Sequence, residues 1–178
     1  IGVPQTMFRM TRRHDIAVVE VGTNHFGEIA YLCDILKPTH GIITNIGREH
    51  LEFFGDVDGV AKAEGELFAG LGKMGVGFVY ADDPGVVRQA RRLKRKVTYG
   101  FVKRASAVRG VFREISGNGC AAFSVQAPRH RPFTVELSVP GRHAMTNALA
   151  AVAVGMTLKV PANDIRRSLK RFSAVGKR

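Results

Sequence analysis

Apolar and polar positions follow two rhythms along this chain. Residues 16–22 (IAVVEVG) are a short β-branched run that predicts a strand. Residues 27–36 (GEIAYLCDIL) carry apolar side chains at helical spacing, and Lys37-Pro38 stops that helix. Residues 41–47 predict a second buried strand, 57–71 a second helix, and 76–80 a third strand. Asp82-Asp83-Pro84 and a basic helix to about Leu93 follow, and 97–101 predict a fourth strand. Continuous apolar strands separated by helices imply an α/β fold with a mostly parallel sheet and both faces covered. After Phe101 the pattern changes. Residues 108–115, 121–127 and 132–139 alternate with a period of two and are separated by Gly-, Asn- and Pro-containing turns. They predict a small antiparallel β-meander. The chain then returns to helix over 144–158 and again over 161–172, and 173–178 read as a linker. No internal repeat or low-complexity tract is present.

Composition narrows the class. The chain has 178 residues, 45% hydrophobic and 24% charged, which is a globular balance rather than a disordered one. No apolar run approaches the ~20 residues of a membrane span. Two cysteines, Cys33 and Cys120, are too few for a disulfide framework and predict reduced cytosolic thiols. The opening lacks an initiator Met and a secretory pattern, so the chain is expected to be a segment of a longer protein. Twenty-seven Lys and Arg against fifteen Asp and Glu give a net charge of +12. That charge suits nucleic acid, and equally the handling of phosphates and carboxylates. The basic runs at 88–96 and 166–171 lack the interleaved aromatics of a single-strand binding surface and predict solvated helix faces, so no nucleic-acid partner is expected.

Several residues stand where chemistry is done. Glu20 closes the first predicted strand, and ligands gather at the carboxyl ends of parallel strands. A carboxylate there suits Mg²⁺ beside a nucleotide, or equally a helix cap. The turn Asn24-His25-Phe26-Gly27-Glu28 leads into a helix and would offer N–H groups to an anion, although an ordinary connection with His25 exposed accounts for it more simply. His50 follows the second strand and Glu64 lies on the next helix, so Glu20, His50 and Glu64 are candidates for one hard-cation site. Lys62 and Glu66 are each two residues from Glu64 and point to other faces. Arg142, His143 and Asn147 open the Ala-rich helix. An Asn there suits an adenine edge, and capping or an incidental polar position explains the same residues.

These segments together resemble one family. Residues 18–29 (VVEVGTNHFGEI) resemble the VVEMGANHPGEI stretch of the Mur ligases. Residues 43–55 resemble ITNIGxAHLExFG, 59–68 resemble GVAxAKGELF, and 141–151 resemble GRHNxxNALAA. The opening IGVPQT is similar to a stretch that follows the phosphate loop in that family. The resemblance covers nearly the whole chain. It implies a P-loop-type sheet and an ATP-dependent amide ligase of bacterial, cytoplasmic cell-wall precursor synthesis. It further implies Mg²⁺ on Glu20 and His50, adenine on Asn147 beside Arg142 and His143, and an acyl-phosphate intermediate. The implied substrates are UDP-N-acetylmuramoyl-tripeptide and D-alanyl-D-alanine. Residues 1–172 would be the middle domain, with the meander at about 97–139, and 173–178 would lead to a further domain.

Three departures qualify the resemblance. No GxxGK[ST] phosphate loop occurs in the sequence, which predicts negligible ATP turnover by this chain alone. Glu64 stands where many members carry a carbamylated lysine, so a permanent carboxylate would serve the second cation. Ala144 replaces the Asn that usually follows Gly-Arg-His. Alternatives are another Mur ligase, a folylpolyglutamate synthase or a cyanophycin-type synthetase, or a basic nucleic-acid- or anion-binding module without catalysis.

Overall fold

A computed structural model describes residues 2–47 and 51–173 of the chain. The helices are α1 (Gly2–Phe8), α2 (Glu28–Leu36), α3 (Leu51–Phe54), α4 (Val57–Gly70), α5 (Pro84–Gln89), α6 (Arg142–Thr157) and α7 (Ala162–Arg171). The strands are β1 (His40–Ile43), β2 (Val76–Tyr80), β3 (Lys96–Gly100), β4 (Val108–Ile115), β5 (Cys120–Gln126) and β6 (Phe133–Pro140). They form one six-stranded sheet in the order β1-β2-β3-β4-β5-β6. The pairs β1–β2, β2–β3 and β3–β4 are parallel, and β4–β5 and β5–β6 are antiparallel. The expected α/β class with a C-terminal meander is thus present, and the meander continues the parallel sheet rather than forming a separate one.

The change of direction has a simple geometric basis. A parallel pair ordinarily needs a crossover of a dozen or more residues. Only Tyr99↔Val108 and Gly100↔Arg109 pair between β3 and β4. The chain therefore steps back by about two residues, roughly 7 Å, before running forward again. The Thr98 hydroxyl accepts the Ala107 N–H at 2.9 Å and holds that short return in place.

Side-chain alternation along the central strands divides the core. Phe78 and Tyr99 face α6 and α7, where they join Phe123, Val125, Val135, Leu149, Val152 and Ile165. Val79 and Ile43 face the other way, against Phe68 of α4 and Val86 and Ala90 of the α5 segment. The first four positions of β2 are buried because helices cover both faces. Helix α2 packs on α4 so closely that a Cβ on Gly70 would lie 2.6 Å from the Cys33 Cβ. Cys33 and Cys120 are both buried and free, and burial pushes the Cys33 thiol pKa up.

Three elements differ from the sequence reading. Residues 16–22 form no strand: the backbone is irregular, and Val18 is 91% exposed. A β-branched run becomes a strand only with a ladder partner, and none of the described strands pairs with it. Helix α1 was not anticipated, nor was the short α3.

The carboxyl ends of the strands are joined by two adjacent acids. Asp82 accepts the backbone N–H groups of Phe101 at 2.6 Å, Val102 at 3.0 Å and Lys103 at 2.8 Å, just beyond β3. Asp83 caps α5 by accepting Gly85 N–H at 2.8 Å and Val86 N–H at 3.1 Å, with Pro84 behind it. Its other oxygen accepts Ile46 N–H at 2.9 Å, beyond β1. Asp83→Ala is expected to lower stability by about 2 kcal/mol in urea unfolding, the upper end for loss of a helix cap. Asp58→Ala, which removes only an exposed pair with Arg88, should change it by less than about 1 kcal/mol. Equal effects would remove the strand-joining role of Asp83.

Candidate functional site

The carboxyl edge of the parallel strands gathers polar groups from separate parts of the chain. Tyr80 ends β2 and stacks on Tyr99 of β3 with ring centroids 5.4 Å apart. Burial pushes the Tyr80 phenol pKa up, with Asp82 and Asp83 adding to the rise, while Thr146 and Arg142 oppose it. Those opposing groups lie in the first turns of α6, so the helix start sits against the end of β2. The Tyr99 hydroxyl beneath is buried and has no hydrogen-bond partner among the described residues. Burial also drives its pKa upward. Helix α6 begins at Gly141, whose φ of 102° falls in the left-handed region, and no side chain caps it.

The turn before α2 has a different use from an anion cradle. Glu28 folds back and accepts the Thr23 hydroxyl at 3.0 Å, Asn24 N–H at 2.8 Å and His25 N–H at 3.1 Å. Glu66 of α4 reaches across and accepts Gly27 N–H at 2.7 Å and Ala30 N–H at 3.1 Å. The N–H groups that would have met an external anion are therefore taken by the chain's own carboxylates. The arrangement favours α2 electrostatically, because anions are stabilising at a helix N-terminus. One turn away from Glu66, the Lys62 ammonium sits 5.4 Å from the centre of the Phe26 ring. The expectation that Lys62 and Glu66 turn away from Glu64 agrees with both contacts.

The residues singled out from sequence fall in three places. Arg142, His143 and Asn147 are exposed at the start of α6, beside the carboxyl edge. Glu20 is exposed in the irregular 16–22 stretch and lines a cleft of about 410 Å³ with Val3, Thr6, Val19 and Leu32. It does not close a strand, as the sequence pattern had implied. Glu64 is half-buried on α4, between the buried Ala63 and Gly65. His50 lies outside the described residues. Among the described residues, no three His, Cys, Asp or Glu side chains are grouped to hold a metal. Sequence reasoning gave no role to Asp82, Asp83, Tyr80 or Glu66. For Asp83 a signal was present, since Asp immediately before Pro is a helix-start signature. The other three depend on partners distant along the chain.

Comparison with known proteins adds four findings. The family model described as Mur ligase middle domain matches residues 1–155. The UDP-N-acetylmuramoyl-tripeptide–D-alanyl-D-alanine ligase of Escherichia coli is 35% identical over 177 residues, covering 98% of this chain and 39% of that protein. The UDP-N-acetylmuramate–L-alanine ligase of Xanthomonas axonopodis is 36% identical over 146 residues, 80% of this chain and 30% of that protein. Among solved structures, MurF from Acinetobacter baumannii superimposes with a TM-score of 0.88 at 29% identity, covering 98% of this chain and 38% of that one. This chain thus spans about two fifths of the length of these MurF-type relatives.

The Glu28 turn makes a pH prediction. Hydrogen bonds from Asn24 N–H, the Thr23 hydroxyl and His25 N–H lower the Glu28 pKa from 4.5 to about 2. A carboxyl with a depressed folded pKa stabilises the fold above its unfolded value and loses that contribution as pH falls through the folded value. Glu28→Gln should therefore unfold at lower urea than the parent chain at neutral pH. The gap should narrow as pH falls from 4.5 towards 2. A gap constant across that window would show that Glu28 is not held by these bonds.

Proposed function

This chain belongs to the Mur ligase family through its middle domain, and from that premise we propose that it forms the nucleotide-binding part of an ATP-dependent amide ligase. The reaction proposed is addition of D-alanyl-D-alanine to UDP-N-acetylmuramoyl-tripeptide, the substrates that name its Escherichia coli relative. The observation that carries the reading is the start of α6. Arg142 and Asn147 stand there beside the carboxyl edge formed by Tyr80, Asp82 and Asp83, the edge at which α/β sheets take their ligands.

The residues present suit the groups involved. The Asn147 side chain is exposed and makes no hydrogen bond to another described side chain or backbone group, so its amide is free to donate to and accept from an adenine edge. The Arg142 guanidinium, with His143 beside it, brings donors to the same edge for a polyanionic ligand. Glu20 is a hard oxygen donor on an open cleft, and it pairs with no cation among the described residues of a chain carrying 27 Lys and Arg. Glu20 and His50 would hold Mg²⁺, and Glu64 would serve a second cation. Mg²⁺ bound there would neutralise charge on the phosphates of ATP as the peptide carboxylate is activated. Glu64 brings a permanent carboxylate in place of a lysine carbamate. Lys62 is engaged as a cation over Phe26 and is not a substitute for it.

The test uses the full-length ligase that carries this segment. Phosphate release with ATP, Mg²⁺ and UDP-N-acetylmuramoyl-tripeptide should require D-alanyl-D-alanine and should be indifferent to added bicarbonate. Glu20→Ala and His50→Ala should each lower kcat on the order of 100-fold. Asn147→Ala should raise KM for ATP with little change in kcat, the signature of lost ground-state binding. The 178-residue chain alone should turn over negligible ATP. ATP hydrolysis without need of D-alanyl-D-alanine would move the substrate elsewhere in the superfamily. A lysine carbamate on Lys62 in a mass spectrum would overturn the role given to Glu64.

A further inference from the structure

The opposite edge of the sheet carries a second, unrelated surface. Helices α2, α4 and α5 each return the chain to the amino-terminal end of the next strand. Those returns bring together Lys37, Lys73, Lys94, Arg95 and Lys96, all exposed. Strand register fixes the adjacency: His40 pairs with Val76, and Gly77 with Lys96. Val76 N–H donates to Thr39 O at 3.0 Å, and Gly77 N–H to Arg95 O at 3.0 Å. The Arg95 guanidinium donates to Met74 O at 2.8 Å and joins the 72–75 loop to the 93–95 loop. Arg91 and Arg92 of the 3-10 turn are exposed just above.

Acids are nearly absent from this edge. Residues 35–47, 67–81 and 84–113 contain no Asp or Glu. Asp34, in the last turn of α2, is engaged by Lys37 at 3.1 Å. Within the cationic rim one large apolar side chain stands out in solvent: Met74 is 75% exposed. The returns themselves, residues 37–39, 72–75 and 91–95, contain no Phe, Tyr or Trp. A platform for stacking nucleic-acid bases is therefore missing.

We propose that this amino-terminal edge docks on a bilayer surface of anionic phospholipids, with Met74 at the apolar boundary and the surrounding Lys and Arg on headgroup phosphates. Clustered cations are drawn to an anionic leaflet within a Debye length of it, and an apolar side chain among them adds a contact that salt does not screen. The surface lies at the other end of the strands from Asp82, Asp83 and the start of α6, so it is separate from the site proposed there.

Flotation of the 178-residue chain with vesicles tests it. The chain should float with phosphatidylcholine vesicles containing phosphatidylglycerol and should not float with phosphatidylcholine alone. Lys73→Glu/Lys94→Glu/Lys96→Glu should cut the bound fraction about tenfold, whereas Arg12→Glu/Arg104→Glu/Arg131→Glu, with the same change in net charge, should cut it less than about twofold. Met74→Ser, which leaves the charge untouched, should lower binding severalfold. Lys73→Gln/Lys94→Gln/Lys96→Gln, checked for an unchanged far-ultraviolet spectrum, should give an intermediate loss and guards against an unfolded charge-reversal variant. Equal loss in both Glu triples would show diffuse charge rather than a docking edge and would overturn the proposal. Tighter binding to a single-stranded RNA than to the vesicles, unaffected by Met74→Ser, would make nucleic acid the partner and would overturn it as well.

Discussion

Two adjacent carboxylates, Asp82 and Asp83, constrain the carboxyl end of the parallel strands. Together they accept backbone N–H groups beyond β1 and β3 and at the first turn of α5. Parallel strands present their carboxyl ends as a row of separate loops, each with donors that the ladder no longer satisfies. Here one dipeptide beyond the end of β2 accepts N–H groups from the loops after both of its neighbours, β1 and β3. A Cβ on Gly100 would lie 2.9 Å from an Asp82 oxygen, so the absence of a side chain there lets the carboxylate reach the loop after β3. Tyr80, two residues before Asp82, lies against the start of α6.

Much of the architecture was legible because burial on both faces imprints a continuous apolar run on a strand. Residues 76–80 were read in this way with the boundaries that the structure shows, and 108–115 were read equally well from their two-residue alternation. The same logic misread 16–22, because a β-branched run reports a preference for extended backbone and not the existence of a neighbour. At the candidate site, Arg142, His143 and Asn147 were legible as a local motif at a helix start. Glu66 was not, since the α2 backbone it caps lies 36 and 39 residues away in sequence. Asp82 was equally hidden, with partners 19 to 21 residues ahead. Pairings of that range are written in topology and leave no periodic trace.

The two ends of the parallel strands have opposite electrostatic characters. The carboxyl edge holds Asp82 and Asp83 with Arg142 nearby, a mixed environment suited to orienting a charged ligand. The amino edge is almost purely cationic. In a βαβ fold every crossover helix begins at one edge and ends at the other. Basic residues in the returns that follow these helices, such as Lys37 and Lys73, therefore lie near the negative ends of the helix dipoles and accumulate at one side. Part of the +12 net charge is organised in this way by the topology itself.

The join between parallel and antiparallel halves carries a consequence for how the chain acquires its structure. Strands β4, β5 and β6 are connected by turns of four and six residues, 116–119 and 127–132. Each pairing in the β1–β3 half instead closes only after an intervening helix, with far greater separation along the chain. Closure entropy rises with that separation, and contact order favours early formation of local hairpins. The meander is thus the cheaper nucleus, and β3 is the seam at which the slower, crossover-built half must zip onto it.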